Sequence, residues 1–448
     1  MKSGRIHPYM IIISSFLSVI LIGTILLVMP FASTSGKSIG FVDSLFMATS
    51  SVCVTGLSVV NVSVDLTVYG KIVMMLLMEI GGLSFITIAV FFFTVIGAKI
   101  GVSNRILLRE SLNQSSLNGI VPLVRKIIFI SFTIQILCAL INLISFTQYY
   151  DFWEALGVSL FHSCASFNNA GFDIIGDQSL IPFKDDILLN ITTISMILIG
   201  GIGFVVIDDV VRNKRWSKFK LHSKLVLVTT VILFVCGGLL IKLTNWDDMS
   251  FMQSFFTSAT CRTAGFATYD MSQLRDHPAT YVLVIMLMAI GASPCSTGGG
   301  VKTTTFAVVM IAIFYFARGR KAKAFKRKIS EGQIFKAFVL VAVAVAIIVV
   351  GTFLILVIQP ASDNFKIDEV LFEVTSAFST TGLSMGITKT LNPANRIIMC
   401  FIMLLGRLGP LTVIGIVNKN WMTSSKEQIQ YVEESVVIGW KNHLLLLD

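Results

Sequence analysis

Thr49-Ser50-Ser51-Val52-Cys53-Val54-Thr55-Gly56-Leu57 recurs near the other end of the chain as Thr375-Ser376-Ala377-Phe378-Ser379-Thr380-Thr381-Gly382-Leu383. Both read Thr-Ser, four variable residues, then Thr-Gly-Leu. A second pair lies between them: Ala165-Ser166-Phe167-Asn168-Asn169-Ala170-Gly171-Phe172 and Ala259-Thr260-Cys261-Arg262-Thr263-Ala264-Gly265-Phe266. All four place a glycine six residues after a small residue, so the chain reads as an internal fourfold repeat.

The surroundings of each glycine repeat too. Upstream stands a full-length apolar stretch, then an acidic residue (Asp43, Glu154, Asp247 or Asp248, Asp368), then about ten apolar residues, too few to span a bilayer. Downstream come a polar stretch and another long apolar run. The unit is therefore outer helix, reentrant pore half-helix, filter loop and inner helix. The acids are expected to cap the half-helices and to match the positive end of the helix dipole. The fold class that follows is an all-α polytopic membrane protein, with four repeats around a central pore. The divisions fall at 1–97, 98–211, 212–317 and 318–417, followed by a cytoplasmic tail at 418–448.

Composition leaves no room for a soluble protein. Of 448 residues, 54% are hydrophobic and 13% charged, against about a quarter charged in soluble domains. Apolar runs at 10–30, 73–96, 127–146, 225–243 and 337–358 are candidate spans. Lysine and arginine crowd into 99–126, 212–224 and 318–336, while the intervening segments are acid-rich. The positive-inside rule then puts the basic set and both termini in the cytoplasm of a multi-pass cell-membrane protein. Topology and anionic lipid explain residues 321–328 better than a nucleic-acid partner does. The seven cysteines are scattered and the five histidines dispersed, so neither a resident metal site nor an enzyme constellation is visible.

Non-helical backbone at membrane depth is tolerated where it is buried in protein or lines water. Four converging glycine loops would supply a ring of main-chain carbonyls, neutral oxygens that replace the hydration shell of a monovalent cation. At these residues the chain resembles the Trk/Ktr/HKT superfamily of potassium transporters, and specifically the membrane subunit of bacterial Ktr systems. The likeness rests on the four segments and on Leu405-Gly406-Arg407-Leu408-Gly409-Pro410-Leu411-Thr412. It implies a potassium filter of Cys53-Val54-Thr55-Gly56, Asn168-Asn169-Ala170-Gly171, Arg262-Thr263-Ala264-Gly265 and Ser379-Thr380-Thr381-Gly382. It also implies potassium uptake by a homodimer docked on a cytosolic ring of nucleotide-binding (RCK-type) subunits, with no cofactor in this chain. Sodium stimulation belongs to the same resemblance; no motif in the residues marks a sodium site.

The third inner helix is interrupted by Gly291-Ala292-Ser293-Pro294-Cys295-Ser296-Thr297-Gly298-Gly299-Gly300, which cannot continue a helix without large cost. The spacing of a phosphate-binding loop is absent. A packing kink and a movable intramembrane gate remain as readings. Arg407, charged within an apolar helix, suits either an electrostatic barrier or a donor to the loop's carbonyls. Arg262 is expected to point away from the pore, toward Glu373 or another carboxylate. Glu79 is expected to stay protonated or bond to backbone; an alternative function, a proton-coupled solute carrier, would use it. Such carriers break helices at matching positions of two halves, whereas here only the third inner helix reads as broken. His162 is expected to pack.

Overall fold

A computed structural model of the chain describes residues 8–96, 100–111, 119–359 and 365–409. The expected tail at 418–448, residues 410–412 of the last motif, and the basic Lys2 and Arg5 lie outside the described residues. Regular structure is helical apart from a hairpin of two-residue strands, Lys323–Ala324 and Arg327–Lys328.

Four outer helices, Pro8–Val28, Ile120–Phe146, Leu221–Thr244 and Glu331–Ile358, are long and apolar enough to cross a bilayer. Their outward faces carry exposed Ile22, Phe129, Val231 and Phe353, since a face that meets lipid needs no polar groups. Each is followed by a shorter helix: Phe41–Val52, Phe152–Asn168, Phe251–Thr260 and Ile367–Ser379. At about 1.5 Å per residue none covers the roughly 30 Å of hydrocarbon. These half-helices are largely buried in protein, and several of their buried hydroxyls turn back onto their own carbonyls, whereas Ser258 Oγ reaches Phe234 O of the outer helix at 2.9 Å. Ser51 Oγ donates to Met47 O at 2.8 Å, Ser159 Oγ to Ala155 O at 2.7 Å, and Thr257 Oγ1 to Gln253 O at 2.8 Å.

Each half-helix packs against its own outer helix and also against the inner helix of the unit before it. Val68–Leu83 lies on Phe152–Asn168, Ile187–Ile202 on Phe251–Thr260, and Pro278–Ala289 on Ile367–Ser379. Finally Pro393–Leu408 returns to Phe41–Val52 and closes the ring. Glycines make the close approaches. A Cβ on Gly81, Gly200 or Gly406 would overlap the backbone of Val52, Phe167 or Phe378 respectively, each four residues before a repeat glycine.

Three expectations need correction. The run at 73–96 is not one straight span: Val68–Leu83 and Phe85–Val95 meet at 93°, with Ser84 at φ 72°. Nor is the third inner helix alone in being broken. Ile187–Ile202 and Phe204–Asn213 also meet at 93°, at Gly203 (φ 97°), and the fourth inner helix ends at Gly409 (φ 79°). A Ser, or a glycine separated from its neighbours by an isoleucine as in Gly200-Gly201-Ile202-Gly203, announces a break less clearly than three consecutive glycines with a proline. Last, the acids are not the caps. Ser250 and Gln253 form a capping box on the third half-helix, whose first turn holds no acid. Asp43 pairs instead with Arg396, Asp248 with His277 at 2.8 Å, and Asp368 lends its backbone carbonyl to Tyr281 Oη at 2.7 Å. Asp43, Glu154 and Asp368 do sit in first turns, where their charge still favours the dipole.

Gly406→Ala is expected to cost about 1–3 kcal/mol through overpacking against rigid backbone, lowering the unfolding temperature of detergent-solubilised protein. Gly157→Ala, where nothing lies within 4 Å of a new Cβ, is expected to leave that temperature unchanged or raise it.

Candidate functional site

The half-helices stop the same way four times. Val54, Asn169, Thr263 and Thr380, each two residues before a repeat glycine, have positive φ (57°, 59°, 76° and 53°). The glycines themselves follow at 94°, 67°, 81° and 89°. Left-handed residues placed alternately turn successive carbonyls toward the same side of the strand. The residue between them sends its amide backward: Thr55 N–H to Ser50 O, Ala170 N–H to Ala165 O and Thr381 N–H to Ser376 O, all at 2.8 Å, and Ala264 N–H to Thr260 O at 2.9 Å. The carbonyls of these same four residues each lie beside a repeat glycine of the adjacent segment.

They face one another around a ring. A Cβ on Gly56 would meet Ala170 O at 2.5 Å, one on Gly171 would meet Ala264 O at 2.5 Å, and one on Gly265 would meet Thr381 O at 2.6 Å. One on Gly382 would collide with Thr55 O. The circuit runs through all four segments and returns to the first, so no side chain fits at any of the four positions. Positive φ at a valine or threonine was the feature sequence reasoning missed; of Val54, Asn169, Thr263 and Thr380, only the asparagine is a type that favours it.

Two cavities flank this assembly. A vestibule of about 480 Å³ is lined by all four glycines together with Asp173, Asp177 and Lys389. A cavity of about 770 Å³ on the other side is lined by Pro294, Gly298, Gly300, Lys302 and Arg407. The loop between Pro278–Ala289 and Thr303–Phe316 lies between ring and second cavity, with Gly298 against Thr263. It is latched on several sides. Ser293 N–H donates to Gly201 O at 3.0 Å, Phe204 N–H to Cys295 O at 3.0 Å, Gly300 N–H to Gly406 O at 3.2 Å, and Gly299 N–H to Thr380 Oγ1 at 2.9 Å. Lys302 Nζ holds Gly298 O at 2.7 Å. Arg407 donates to Thr297 O in the loop and, at 2.5 Å, to Gly81 O of the first inner helix. Moving the loop means breaking bonds to the second and fourth inner helices, the second half-helix and the fourth glycine segment.

Of the other singled-out residues, Arg262 does point away from the ring and is buried, but not toward Glu373. Its guanidinium donates to Thr230 O at 3.4 Å and Thr230 Oγ1 at 3.3 Å on the third outer helix, and among the described residues no carboxylate pairs with it. Glu373 is taken up by Ser384 Oγ (2.5 Å), Met385 N–H (3.0 Å) and Thr388 Oγ1 (2.9 Å), which fasten the strand leaving the fourth glycine. Glu79 bonds to side chains rather than backbone: Asn168 Nδ2 at 2.6 Å, Gln135 Nε2 at 3.2 Å and Cys164 Sγ at 3.4 Å. Both residues satisfy their polar groups with the nearest available partner on a packed helix, which sequence spacing does not reveal. His162 packs among Phe146 and Phe266, with Nε2 2.9 Å from Thr193 Oγ1.

Half-spanning helices, a closed ring of backbone and facing cavities define a membrane transport protein. The match to the TrkH model, described as "Cation transport protein", runs over residues 4–425, and the chain belongs to that family. It is 35% identical to the Ktr system potassium uptake protein B of Bacillus subtilis, covering 98% of both chains. It is likewise 35% identical to the potassium/sodium uptake protein NtpJ of Enterococcus hirae, over 97% of this chain and 98% of that one. The crystal structure of the potassium transporter TrkH from Vibrio parahaemolyticus superposes with a TM-score of 0.71 at 19% identity, covering 94% of this chain and 87% of that one, and so shares the fold.

Asp173, two residues beyond Gly171, lines the vestibule together with Asp177 and Asp270, and burial pushes its carboxyl up to about 6. Above that pH it is anionic and draws cations into the vestibule; below it the charge is lost. Cation flux into liposomes should therefore fall severalfold as vestibule-side pH drops from 7 to 5. Asp173→Asn should flatten that acid limb.

Proposed function

We propose that this chain takes potassium up across the cell membrane. Ions would pass through the ring of glycine segments, and the loop at 291–300 would act, with Arg407, as the gate. The observation that carries the reading is the closed circuit of Gly56, Gly171, Gly265 and Gly382, each with positive φ and each facing the next segment's carbonyl. Neutral oxygens held at fixed separation can substitute for the water around an alkali cation. The choice of potassium leans on the names of relatives similar over nearly the full length. The sixteen residues preceding and including the four glycines are then the filter. The units would divide at 97/98, 211/212 and 317/318; the second of these falls in the last turn of Phe204–Asn213 and the third just after Thr303–Phe316.

The same reading extends to the assembly. The name of the Bacillus relative places it in a multi-component system, which supports a separate cytosolic regulatory partner for this chain. A homodimer docked on a nucleotide-binding ring, sodium as activator, and cytoplasmic termini complete the proposal. In it the basic connecting segments face the partner. The solute-carrier alternative loses its footing, because Glu79 is enclosed by Asn168, Gln135 and Cys164 and lines neither cavity.

Purified full-length protein in liposomes, with no other solute, is expected to admit rubidium; absence of flux would refute the reading. Gly265→Ser, which puts a side chain against Thr381 O, should lose preference for potassium over sodium. Arg407→Ala removes charged hydrogen bonds worth about 1.5–3 kcal/mol each. Losing about 1.4 kcal/mol from the closed arrangement favours the open one roughly tenfold, so this variant should raise flux. Unchanged transport would count against the gate.

A further inference from the structure

Two contacts of the first inner helix, one turn apart, reach different parts of the transport machinery. Glu79 accepts from Asn168 Nδ2 at 2.6 Å. Asn168 lies three residues before Gly171 and also bonds back to Cys164 O at 3.0 Å, at the end of the second half-helix. Gly82, in the next turn, packs so closely on the Asn168 amide that a Cβ there would overlap its Oδ1. The carbonyls of Gly81 and Gly82 accept from Arg407 Nη2 at 2.5 and 3.2 Å, while Nη1 of the same guanidinium donates to Thr297 O in the loop. Thr297 in turn sends its Oγ1 to Phe167 O at 3.3 Å, the residue next to Asn168.

These bonds form a closed circuit: Asn168 to Glu79, along one helical turn to Gly81 and Gly82, across Arg407 to Thr297, and back through Phe167 to Asn168. Among the described residues, no carboxylate engages the other side chains three places before a repeat glycine. Ser379 instead lies against Gly300 of the loop itself, and Arg262 turns outward to Thr230. The circuit therefore ties the second quarter of the ring to the loop through a carboxylate, whereas the fourth is tied to it directly, by Gly299 N–H to Thr380 Oγ1 at 2.9 Å.

We propose that Glu79 is a positioning residue for ion discrimination, holding the second filter segment in register with the closed loop, so that displacing the loop loosens this quarter of the ring. The inference rests on the potassium-uptake reading given above and adds to it a specificity-determining carboxylate that contacts no ion. A carboxylate is suited to the task because both of its oxygens accept: one takes Asn168 while the pair is braced by Gln135 on the second outer helix, at 3.2 Å to each. An amide in its place presents one acceptor where two are used. Partners that belong to one network give non-additive effects when altered together.

The test uses the full-length protein in liposomes, with rubidium uptake competed separately by potassium and by sodium, so that the readout is the ratio of the two half-inhibiting concentrations. Glu79→Gln is expected to shrink that ratio about tenfold. Arg407→Ala should shrink it as well, and the double variant should be no worse than the poorer single one. A purely packing role would lower the unfolding temperature of Glu79→Gln and leave the ratio at its wild-type value; that result overturns the proposal, as do shifts that multiply in the double variant. Should Glu79→Gln fail to fold, Asn168→Ala takes its place with the same criteria. Wild-type liposomes that admit no rubidium sink the underlying reading and this inference together. Wild-type flux with an unmoved ratio in the variants sinks this inference alone.

Discussion

Four carbonyl oxygens brought toward one axis repel each other, and nothing in the ring itself offsets that repulsion. What holds them is the set of amides behind them. Each residue just before a repeat glycine gives its N–H to the end of its own half-helix, at 2.8 or 2.9 Å. The half-helix is in turn clamped between its own outer helix and the inner helix of the preceding unit. Remove the anchoring and the carbonyls would rotate apart. Introduce a Cβ at any of the four glycines and the strands could not approach. The membrane setting raises the stakes, because an unpaired amide at that depth has no water to turn to.

The fourfold symmetry of the backbone is not carried into the side chains. Residues three places before each glycine are Cys53, Asn168, Arg262 and Ser379, and each meets a different neighbour. One quarter of the ring is backed by a carboxylate through Asn168 and another by a buried guanidinium. The cavity on the loop side adds Lys302 and Arg407. Equal backbone geometry with unequal electrostatics is what a single chain can build and four identical chains cannot. It gives each segment its own mechanical and electrostatic task.

Much of this was legible in the sequence because it follows from length and period. Apolar runs long enough to span, alternating with runs too short to do so, gave the outer helices and half-helices, and the recurring glycines marked where the segments meet. Less was legible where one residue decides a conformation. Ser84 and Gly203 bend two inner helices by 93°; each follows a glycine pair, Gly81-Gly82 and Gly200-Gly201, but neither run carries the proline that marks the third break. Partners were harder still. Asp43 was expected to cap a helix and instead binds Arg396, and Arg262 was assigned a carboxylate but found a threonine. A charge in a packed membrane protein takes whichever partner the tertiary fold delivers, and that is a property of distance in space rather than along the chain.

The bond between Asp43 and Arg396 has a bearing on how the molecule is made. Its two ends are nearly as far apart in the chain as the helices allow, and it seals the contact between the first half-helix and the last inner helix. A ribosome releases the first of these long before the second exists. Through most of synthesis, the opening unit must therefore wait in the bilayer with one flank unclosed, and the ring can shut only when the final segment is inserted. Topology of this kind is slow to complete and exposes unfinished surfaces meanwhile. Truncated products of this chain should be marked for disposal rather than settle as partial pores.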